Sequence, residues 1–330
     1  MKAAFIDAPG PPESLQYGDL PTPEPKAGEV LVRIAASSVN PIDTYIRSGM
    51  VAANLPKPFI PGCDLAGTVV ALGSGTGRFK VGDRVWGSNQ GLAGRQGTLA
   101  EYAAVHEQWL YATPASIADS DAAAIALVGI TAHLGLFDRT NLAAGETLFV
   151  NGGTGGVGSA VVQMARAVGA RVIATVGSAE KAETAKAFGA DVVVNYKTDD
   201  ILAVVKDATG GKGVDVVYDC VGGAYAEPAI RTMNWNGRYL VIGFAAGDIP
   251  KIPLNLLLLK SCSLVGVFWG ASMQKEAAIN AANMRQIVTW VAEGKLKPHV
   301  HKVFPLAETA NAIRELDNRA STGKVVIKVA

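Results

Sequence analysis

The chain has 330 residues, a length that favours two domains rather than one. Apolar residues make up 49% of it and charged residues 18%, which favours a large buried core and excludes a disordered chain. The 30 basic and 29 acidic side chains nearly cancel, so charge gives no reason to expect a nucleic-acid or membrane partner. The N-terminal segment lacks the apolar stretch of a signal peptide, and three well-separated cysteines form no disulfide framework, so we expect a cytoplasmic protein.

The first 110 or so residues are predicted to form short strands. Runs rich in β-branched residues, such as 29–39, 66–73 and 81–87, are separated by segments rich in glycine and proline. This pattern is typical of a compact, partly antiparallel barrel.

Helices and strands alternate from about residue 120 onwards. The helix that begins this part starts at the capping residues 119–121. Strands are predicted at 146–152, 170–177, 191–196, 214–223, 237–244 and 263–270. Uniformly apolar strands alternating with helices are typical of a parallel sheet covered on both faces, so the strand at 263–270 is predicted to be buried.

The residues after 271 are predicted to leave the parallel sheet. A long helix is followed by a strand, a helix and a final strand, which we interpret as the chain returning to its first domain. The predicted fold class is therefore α/β, with a doubly wound parallel-sheet domain at 121–271 inserted into a β-rich domain formed by 1–120 and 272–330.

The strongest local motif is a glycine-rich loop between a predicted strand and a predicted helix. Gly153, Gly155 and Gly158 satisfy the pattern GxGxxG, and the context is that of a dinucleotide-binding loop. Glycines let backbone N–H groups and the positive helix end approach a pyrophosphate. A glycine-rich turn without a ligand is the alternative. We expect the cofactor to contact the whole loop: Gly153, Thr154, Gly155, Gly156, Val157 and Gly158.

The end of the second strand of this domain indicates which nicotinamide cofactor binds. It lacks the acidic residue that would bind the ribose 2′-hydroxyl of NAD. Gly177 leaves room there, Ser178 can donate a hydrogen bond, and Lys181 can bring positive charge to a 2′-phosphate. Tyr196 can close the pocket. The sequence therefore predicts NADPH, although Lys181 could instead be a solvated helix lysine.

Several segments together resemble the medium-chain dehydrogenase/reductase superfamily, in its zinc-free NADPH:quinone oxidoreductase, or zeta-crystallin-like, branch. They are 37–49, 61–75, 79–87, 152–181, 189–196 and 318–329. The stretch NPIDTYIRSG, together with GGVG and TVGSAEK, is specific to that branch. The resemblance covers essentially the whole chain. It implies a GroES-like catalytic domain, a Rossmann domain inserted into it, and a homodimer.

The resemblance also bears on metal binding. Zinc-containing members carry a cysteine in the region of 37–40, a His-Glu pair where this chain has Cys63 and Asp64, and a four-cysteine lobe that this chain lacks. A catalytic zinc needs about three protein ligands. We therefore expect no metal, and we interpret Cys63 as a small core residue. None of the four histidines replaces the missing ligand; His133 is expected to be a packed helix residue.

The resemblance places Asn40, Asp43 and Tyr45 beside the nicotinamide as the catalytic residues. Asn40 is expected to donate an amide hydrogen bond to the substrate oxygen, Tyr45 to donate a hydrogen bond or proton, and Asp43 to orient its neighbours. The alternatives are a turn before a proline, a core tyrosine and a helix cap.

Further cofactor contacts are implied outside the glycine loop. Thr131, Phe244 and Phe268 are expected near the nicotinamide, and Arg319 on a cofactor phosphate. Simple packing at the end of a buried strand is the alternative for Phe268.

The leading functional hypothesis is NADPH-dependent reduction of a small quinone or α,β-unsaturated carbonyl compound without zinc. Related enoyl-thioester reductases carry a tyrosine after the SGx motif, where this chain has Val51, so enoyl-thioester reduction is the weaker alternative. A third hypothesis is an NADPH-binding crystallin-like or RNA-binding protein, which the near-neutral charge does not favour.

Overall fold

The computed structural model describes residues 1–51 and 54–329, and the chain divides into two units. The first unit contains Met1–Leu127 and Pro298–Ala330, and the second contains Val128–Lys297.

The elements follow one another in three stretches of the chain. The first stretch contains β1 (Lys2–Phe5), β2 (Gln16–Asp19), β3 (Glu29–Val39), α1 (Pro41–Ser48), β4 (Asp64–Leu72), β5 (Arg84–Gly87), β6 (Tyr102–His106), β7 (Leu110–Ala112) and α2 (Asp119–His133). The second contains β8 (Thr147–Asn151), α3 (Gly156–Ala167), β9 (Arg171–Val176), α4 (Ala179–Ala187), β10 (Val192–Asn195), α5 (Ile201–Ala208), β11 (Val214–Asp219), α6 (Ala226–Arg231), β12 (Met233–Val241), α7 (Asn255–Leu258), β13 (Ser263–Gly266), α8 (Trp269–Lys275) and α9 (Ala277–Ala292). The last contains β14 (Val300–Pro305), α10 (Thr309–Asp317) and β15 (Lys324–Lys328).

A mostly antiparallel sheet organises the first unit. Its strand order is β14-β15-β3-β4-β5-β7, and β6 pairs with β3. Strand β15 lies antiparallel to β3, with Val326 opposite Ser38, so the last strand of the chain belongs to the sheet of the first unit. Alternate residues of β3 point inward because successive side chains of a strand face opposite sides. Val30, Val32 and Ile34 thus pack in one core.

A six-stranded parallel sheet organises the second unit. Its order is β10-β9-β8-β11-β12-β13, so the direction of winding reverses between β8 and β11. The carboxyl ends of parallel strands on either side of such a reversal form the usual ligand site of this sheet type. The predicted α/β class, with a GroES-like and a Rossmann-type domain, is confirmed.

Residues 272–297 belong to the second unit, whereas the sequence placed its end at residue 271. The physical reason is a set of contacts that α9 and its N-cap residue, Glu276, make with the end of the helix at 119–139. Arg139 pairs with Glu276 at 2.5 Å, and the Asn283 amide donates to Asp138 at 2.5 Å. The other end of the second unit also differs from the predicted boundary, since it falls inside α2 at residue 128 rather than at 121.

Strand β13 differs from the buried strand predicted at 263–270. Within the part of the chain that the structure describes, it pairs with β12 alone and forms an edge of the sheet. Leu264 is 39% exposed and Phe268 74% exposed. A strand at an edge has one neighbour instead of two, so its apolar composition alone does not bury it.

The helix at 119–139 continues from α2 through a π-helical segment, Leu134–Arg139. Among the described residues it is the one helix long and apolar enough to cross a membrane. However, 83% of its most apolar window is buried inside the protein, which is typical of a core helix.

Candidate functional site

Polar side chains join three strand ends in the second unit. The side-chain amide nitrogen of Asn151 donates to the Asp219 carboxylate at 2.9 Å, and the Thr175 hydroxyl donates to the side-chain oxygen of Asn151 at 2.9 Å. The Tyr239 hydroxyl also donates to Asp219. The sequence analysis missed this network; its signal is a polar residue at the end of an otherwise apolar strand.

The same network holds the loops that follow β8 and β11. The backbone N–H of Gly152 donates to the Thr175 hydroxyl at 2.9 Å. The N–H groups of Val221 and Gly222 donate to Asp219 at 2.8 and 3.0 Å. These bonds fix both loops at the carboxyl edge of the sheet, where the predicted phosphate loop lies.

The glycines of that loop differ in what surrounds them. A Cβ on Gly158 would lie 2.1 Å from the Gly152 carbonyl oxygen, and one on Gly153 would lie 2.6 Å from the Ala174 Cβ. At Gly155 the nearest atom would be the Gly152 carbonyl oxygen at 3.5 Å, an ordinary contact distance, so this position is less crowded than the other two. Helix α3 begins at the next residue, and its N-terminal N–H groups lie beside Gly155. The loop, including Thr154, Gly156 and Val157, thus fits the pyrophosphate of a dinucleotide.

The predicted ribose-phosphate residues meet at the end of β9. A Cβ on Gly177 would lie 2.5 Å from the Tyr196 hydroxyl, so glycine is needed for Tyr196 to pack there. The Ser178 hydroxyl accepts a hydrogen bond from the Lys181 N–H at 3.2 Å and keeps its own hydrogen to donate. Partial burial, with Lys197 nearby, lowers the pKa of the Lys181 ammonium. The sequence analysis missed Lys197.

The other predicted cofactor contacts of the second unit occupy different environments. Thr131 is buried on α2, and its carbonyl accepts from the Tyr218 hydroxyl at 2.8 Å. Phe244 lies against Gly222, where a Cβ would be 2.9 Å from the phenylalanine ring. Phe268, in contrast, follows the edge strand and is mostly exposed. The alternative role of this residue, packing at the end of a buried strand, therefore does not apply. The His133 ring packs 4.7 Å from that of Phe137, as expected of a packed histidine.

A second group of polar residues is buried in the first unit, around the start of α1. The backbone N–H of Asn40 donates to the Asp43 carboxylate at 2.8 Å, so Asp43 caps the helix. The Asn40 amide nitrogen donates to Asp64 at 2.8 Å and to the Ser38 carbonyl at 3.3 Å. Both amide hydrogens of Asn40 are thus bound within the protein. This geometry differs from the predicted donor role, because a buried carboxylate has taken the hydrogen that we assigned to the substrate.

That carboxylate, Asp64, is fully buried and surrounded by donors. It accepts from the Ser38 hydroxyl at 2.7 Å and from the Leu127 N–H at 3.0 Å. The ammonium of Lys324 lies 3.6 Å from Asp64. The sequence analysis missed Lys324, whose only signal is a lysine that directly precedes three apolar residues.

Burial governs how these groups ionise. It raises the pKa of Asp43 to about 6, with the nearby Asp64 charge as a further cause. It raises the pKa of the Cys63 thiol well above its ordinary value, and Asp43 adds to that shift. Burial also lowers the pKa of Lys324, although Asp64 and Asp43 oppose the change. Cys63 is fully buried, as expected of a core residue.

Tyr45 lies on α1 and is half-buried. Burial raises the pKa of its hydroxyl, while the positive charge of Arg319 acts in the opposite direction. The negative charge of Asp317 raises the same pKa further. Tyr45 is protonated at neutral pH and can donate a proton. Arg319, predicted to contact a cofactor phosphate, has a left-handed backbone with φ +54°.

No group of three or more His, Cys, Asp or Glu side chains within residues 1–51 and 54–329 is arranged to hold a metal ion. Cys63 and Asp64, at the positions of the zinc ligands in metal-containing relatives, have the Lys324 ammonium as a neighbour.

Comparison with known proteins places both units in one family. The description "Alcohol dehydrogenase GroES-like domain" matches residues 26–115, and "Zinc-binding dehydrogenase" matches residues 156–284. Human quinone oxidoreductase is 31% identical over 329 residues, which cover 99% of this chain and 97% of that protein.

Solved structures with bound cofactor are also similar. Escherichia coli quinone oxidoreductase, complexed with NADPH, has a TM-score of 0.93 at 29% identity, with both chains fully covered. A mycobacterial protein complexed with NADPH has a TM-score of 0.91 at 32% identity, again with full coverage of both chains. The present chain carries a glycine loop whose crowded positions and adjoining helix start fit a dinucleotide of this kind. The chain belongs to the medium-chain dehydrogenase/reductase superfamily, in the quinone oxidoreductase branch.

Proposed function

We propose that the protein reduces quinones or α,β-unsaturated carbonyl compounds with NADPH and without a metal ion. The observation that carries the proposal is the half-buried Tyr45 on α1, a helix whose start is held by the hydrogen bond from the Asn40 N–H to Asp43 at 2.8 Å. Catalysis without a metal ion is supported by Asp64, whose oxygens already accept hydrogen bonds from Ser38, Asn40 and the Leu127 N–H.

Reduction requires that negative charge on the substrate oxygen be stabilised. NADPH supplies a hydride, which carries two electrons, to a quinone or to the β-carbon of an enone. We assign Tyr45 as the group that donates a proton to the substrate oxygen. Solvent returns the proton to the tyrosinate, which the Arg319 charge favours and the Asp317 charge opposes. The balance is one quinone, one NADPH and one proton giving one hydroquinone and one NADP+.

A cytoplasmic location is part of the proposal. All three cysteines are free thiols, which is typical of a reducing compartment. The near-neutral net charge of +1 favours a small-molecule partner over a nucleic acid.

We also propose a homodimer formed through β13. The strand leaves one backbone edge unpaired within the sheet, and such an edge can pair with a second strand. Apolar side chains are strongly exposed on the segment that includes it: Ile249, Leu254, Leu258, Leu259 and Phe268. An apolar surface of this kind is typical of a protein interface.

The substrate class is tested by following NADPH oxidation with simple quinones, enones and crotonyl-CoA, each with and without a metal chelator. We expect oxidation with a quinone or an enone, little with crotonyl-CoA, and equal rates in the presence of chelator. A loss of activity that added zinc restores would contradict the metal-free proposal. Preferred turnover of crotonyl-CoA would favour enoyl-thioester reduction instead.

Tyr45→Phe tests the proton donor. Since general acid catalysis contributes about 100-fold or more, kcat should fall by about that factor while the NADPH dissociation constant changes little. Steady-state kinetics and NADPH fluorescence measure the two quantities. Tyr17→Phe, at a 48% exposed position in β2, is the control and should retain full turnover. Equal losses of turnover and NADPH binding would assign Tyr45 a structural role.

Lys181→Ala tests selection of the 2′-phosphate. A hydrogen bond between charged groups is worth about 1.5–3 kcal/mol, so NADPH affinity should fall by about 10- to 100-fold while NADH affinity is nearly unchanged. Lys186→Ala on the same helix, whose ammonium pairs with Glu183 at 2.9 Å, is the control. An unchanged ratio of the two affinities would remove Lys181 from the phosphate site.

Sedimentation equilibrium tests the dimer. The wild-type protein should have twice the monomer mass of 34.2 kDa. Leu258→Asp, at an 80% exposed position, should shift the equilibrium to monomer because it places a charge in an apolar interface. Leu72→Asp in the first unit is the matched control. A monomeric wild-type protein would refute the proposal.

A further inference from the structure

Lys324 is the least expected charged residue of the first unit. It begins β15 and is 4% exposed, although lysine is seldom fully buried unless it is paired. Its ammonium donates to the Val39 carbonyl at 2.9 Å and to the Asn40 side-chain oxygen at 2.5 Å, and lies 3.6 Å from Asp64. Three oxygens therefore surround a group that has three hydrogens.

The same ammonium decides how the Asn40 amide is oriented. The amide oxygen faces Lys324 and the amide nitrogen faces Asp64 at 2.8 Å. Rotating the amide by half a turn would set its hydrogens against the ammonium and its oxygen against the carboxylate. A positive and a negative group on opposite sides thus permit one orientation.

The fixed position of Asn40 in turn fixes the start of α1, the helix that carries Tyr45. Its backbone N–H is bound by Asp43, in the first turn of α1, at 2.8 Å. We propose that Lys324 is a positioning residue for the reduction: its ammonium holds Asn40, and through Asn40 the start of α1 and the Tyr45 hydroxyl. The proposal rests on the proposed function for its kinetic part, and its pH-dependent part stands independently.

The pH-dependent part of the proposal rests on the charged groups around Lys324. Four titratable groups interact here: Asp43 on α1, Cys63 just before β4, Asp64 at the start of β4, and Lys324 on β15. The Arg95 guanidinium also interacts with Cys63. Two carboxylates thus share one ammonium. Burial raises the pKa of Asp43 to about 6, and the positive charge of Lys324 is one of the influences that lower this pKa. Loss of Lys324 should therefore raise the pKa of Asp43 further.

The kinetic test compares Lys324→Met with Lys324→Arg. We expect kcat to fall about 10- to 100-fold in the Met variant, since a displaced catalytic group costs factors of this size. The NADPH dissociation constant should change little because the partners of the Lys324 ammonium, which are Val39, Asn40 and Asp64, are not among the predicted cofactor contacts. The Arg variant should recover part of kcat because it keeps the charge and the donors. Lys328→Met, on an exposed position of the same strand, is the control. Full turnover in Lys324→Met would overturn the proposal.

A double variant separates positioning from compensation of charge. Lys324→Met combined with Asp64→Asn removes one charge of each sign, so the urea midpoint of unfolding should return towards the wild-type value. Turnover should remain low, since nothing then holds the Asn40 oxygen. If turnover returned together with stability, Lys324 would only neutralise Asp64, and the positioning role would be wrong.

The pH dependence of unfolding requires no substrate. The pKa of Asp43 in the folded protein, about 6, is above the ordinary 3.8, so the stability that this group contributes below pH 3.8 is lost as pH rises through 6. In Lys324→Met this loss should be larger and extend to higher pH. Identical pH profiles for the variant and the wild type would overturn the proposal. If no quinone or enone is reduced but the profiles differ as expected, the proposed function fails while the effect of Lys324 on the cluster stands.

Discussion

A carboxylate taken out of water needs hydrogen-bond donors on its oxygens, and one such carboxylate organises the functional segment of each unit. Asp219 in the second unit accepts hydrogen bonds from Asn151, Tyr239 and two backbone N–H groups. Asp64 in the first unit accepts hydrogen bonds from Ser38, Asn40 and a backbone N–H, and the Lys324 ammonium lies 3.6 Å from it. In both units the donors come from segments far apart in sequence, so satisfying one buried charge fixes several loops together.

The two carboxylates differ in how their charge is balanced. Asp219 is stabilised by neutral donors and lies beside the glycine loop, where helix α3 already provides positive potential for phosphate. Asp64 has a lysine ammonium, and a second carboxylate, Asp43, shares the same surroundings. The first unit therefore carries its own cation in the region where metal-containing relatives place zinc ligands. This arrangement is the physical basis for proposing chemistry that depends on hydrogen-bond donors.

Local spacing explains what the sequence predicted correctly. Gly153, Gly155 and Gly158 lie between a strand and a helix, and their backbone conformation follows from that context alone. Gly177 and Tyr196 are separated by one helix and a strand of the same βαβ unit, so their meeting could also be expected. The cap formed by Asp43 spans three residues. Each of these features depends on neighbours within one supersecondary element.

Features that depend on distant pairing escaped prediction. Asn40 and Lys324 are 284 residues apart, and only the pairing of β15 with β3 brings them together. The edge position of β13 depends on the order of strands in the sheet, which an apolar pattern does not encode. The end of the second unit depends on contacts that α9 and its N-cap residue make with residues 138 and 139.

The same limit applies to the Asn40 amide, which the sequence analysis assigned to the substrate and whose buried acceptor it did not foresee. An amide hydrogen can serve a substrate only if no protein acceptor takes it, and the acceptor here, Asp64, lies 24 residues away across β3 and β4. Once Asp64 is buried at that position, the amide is fixed by its own protein and becomes part of the scaffold. Under the proposed function, the proton donor is a group whose hydrogen is not needed to satisfy a buried charge. In the first unit, Tyr45 on the helix that this scaffold holds is the predicted catalytic residue that meets this requirement.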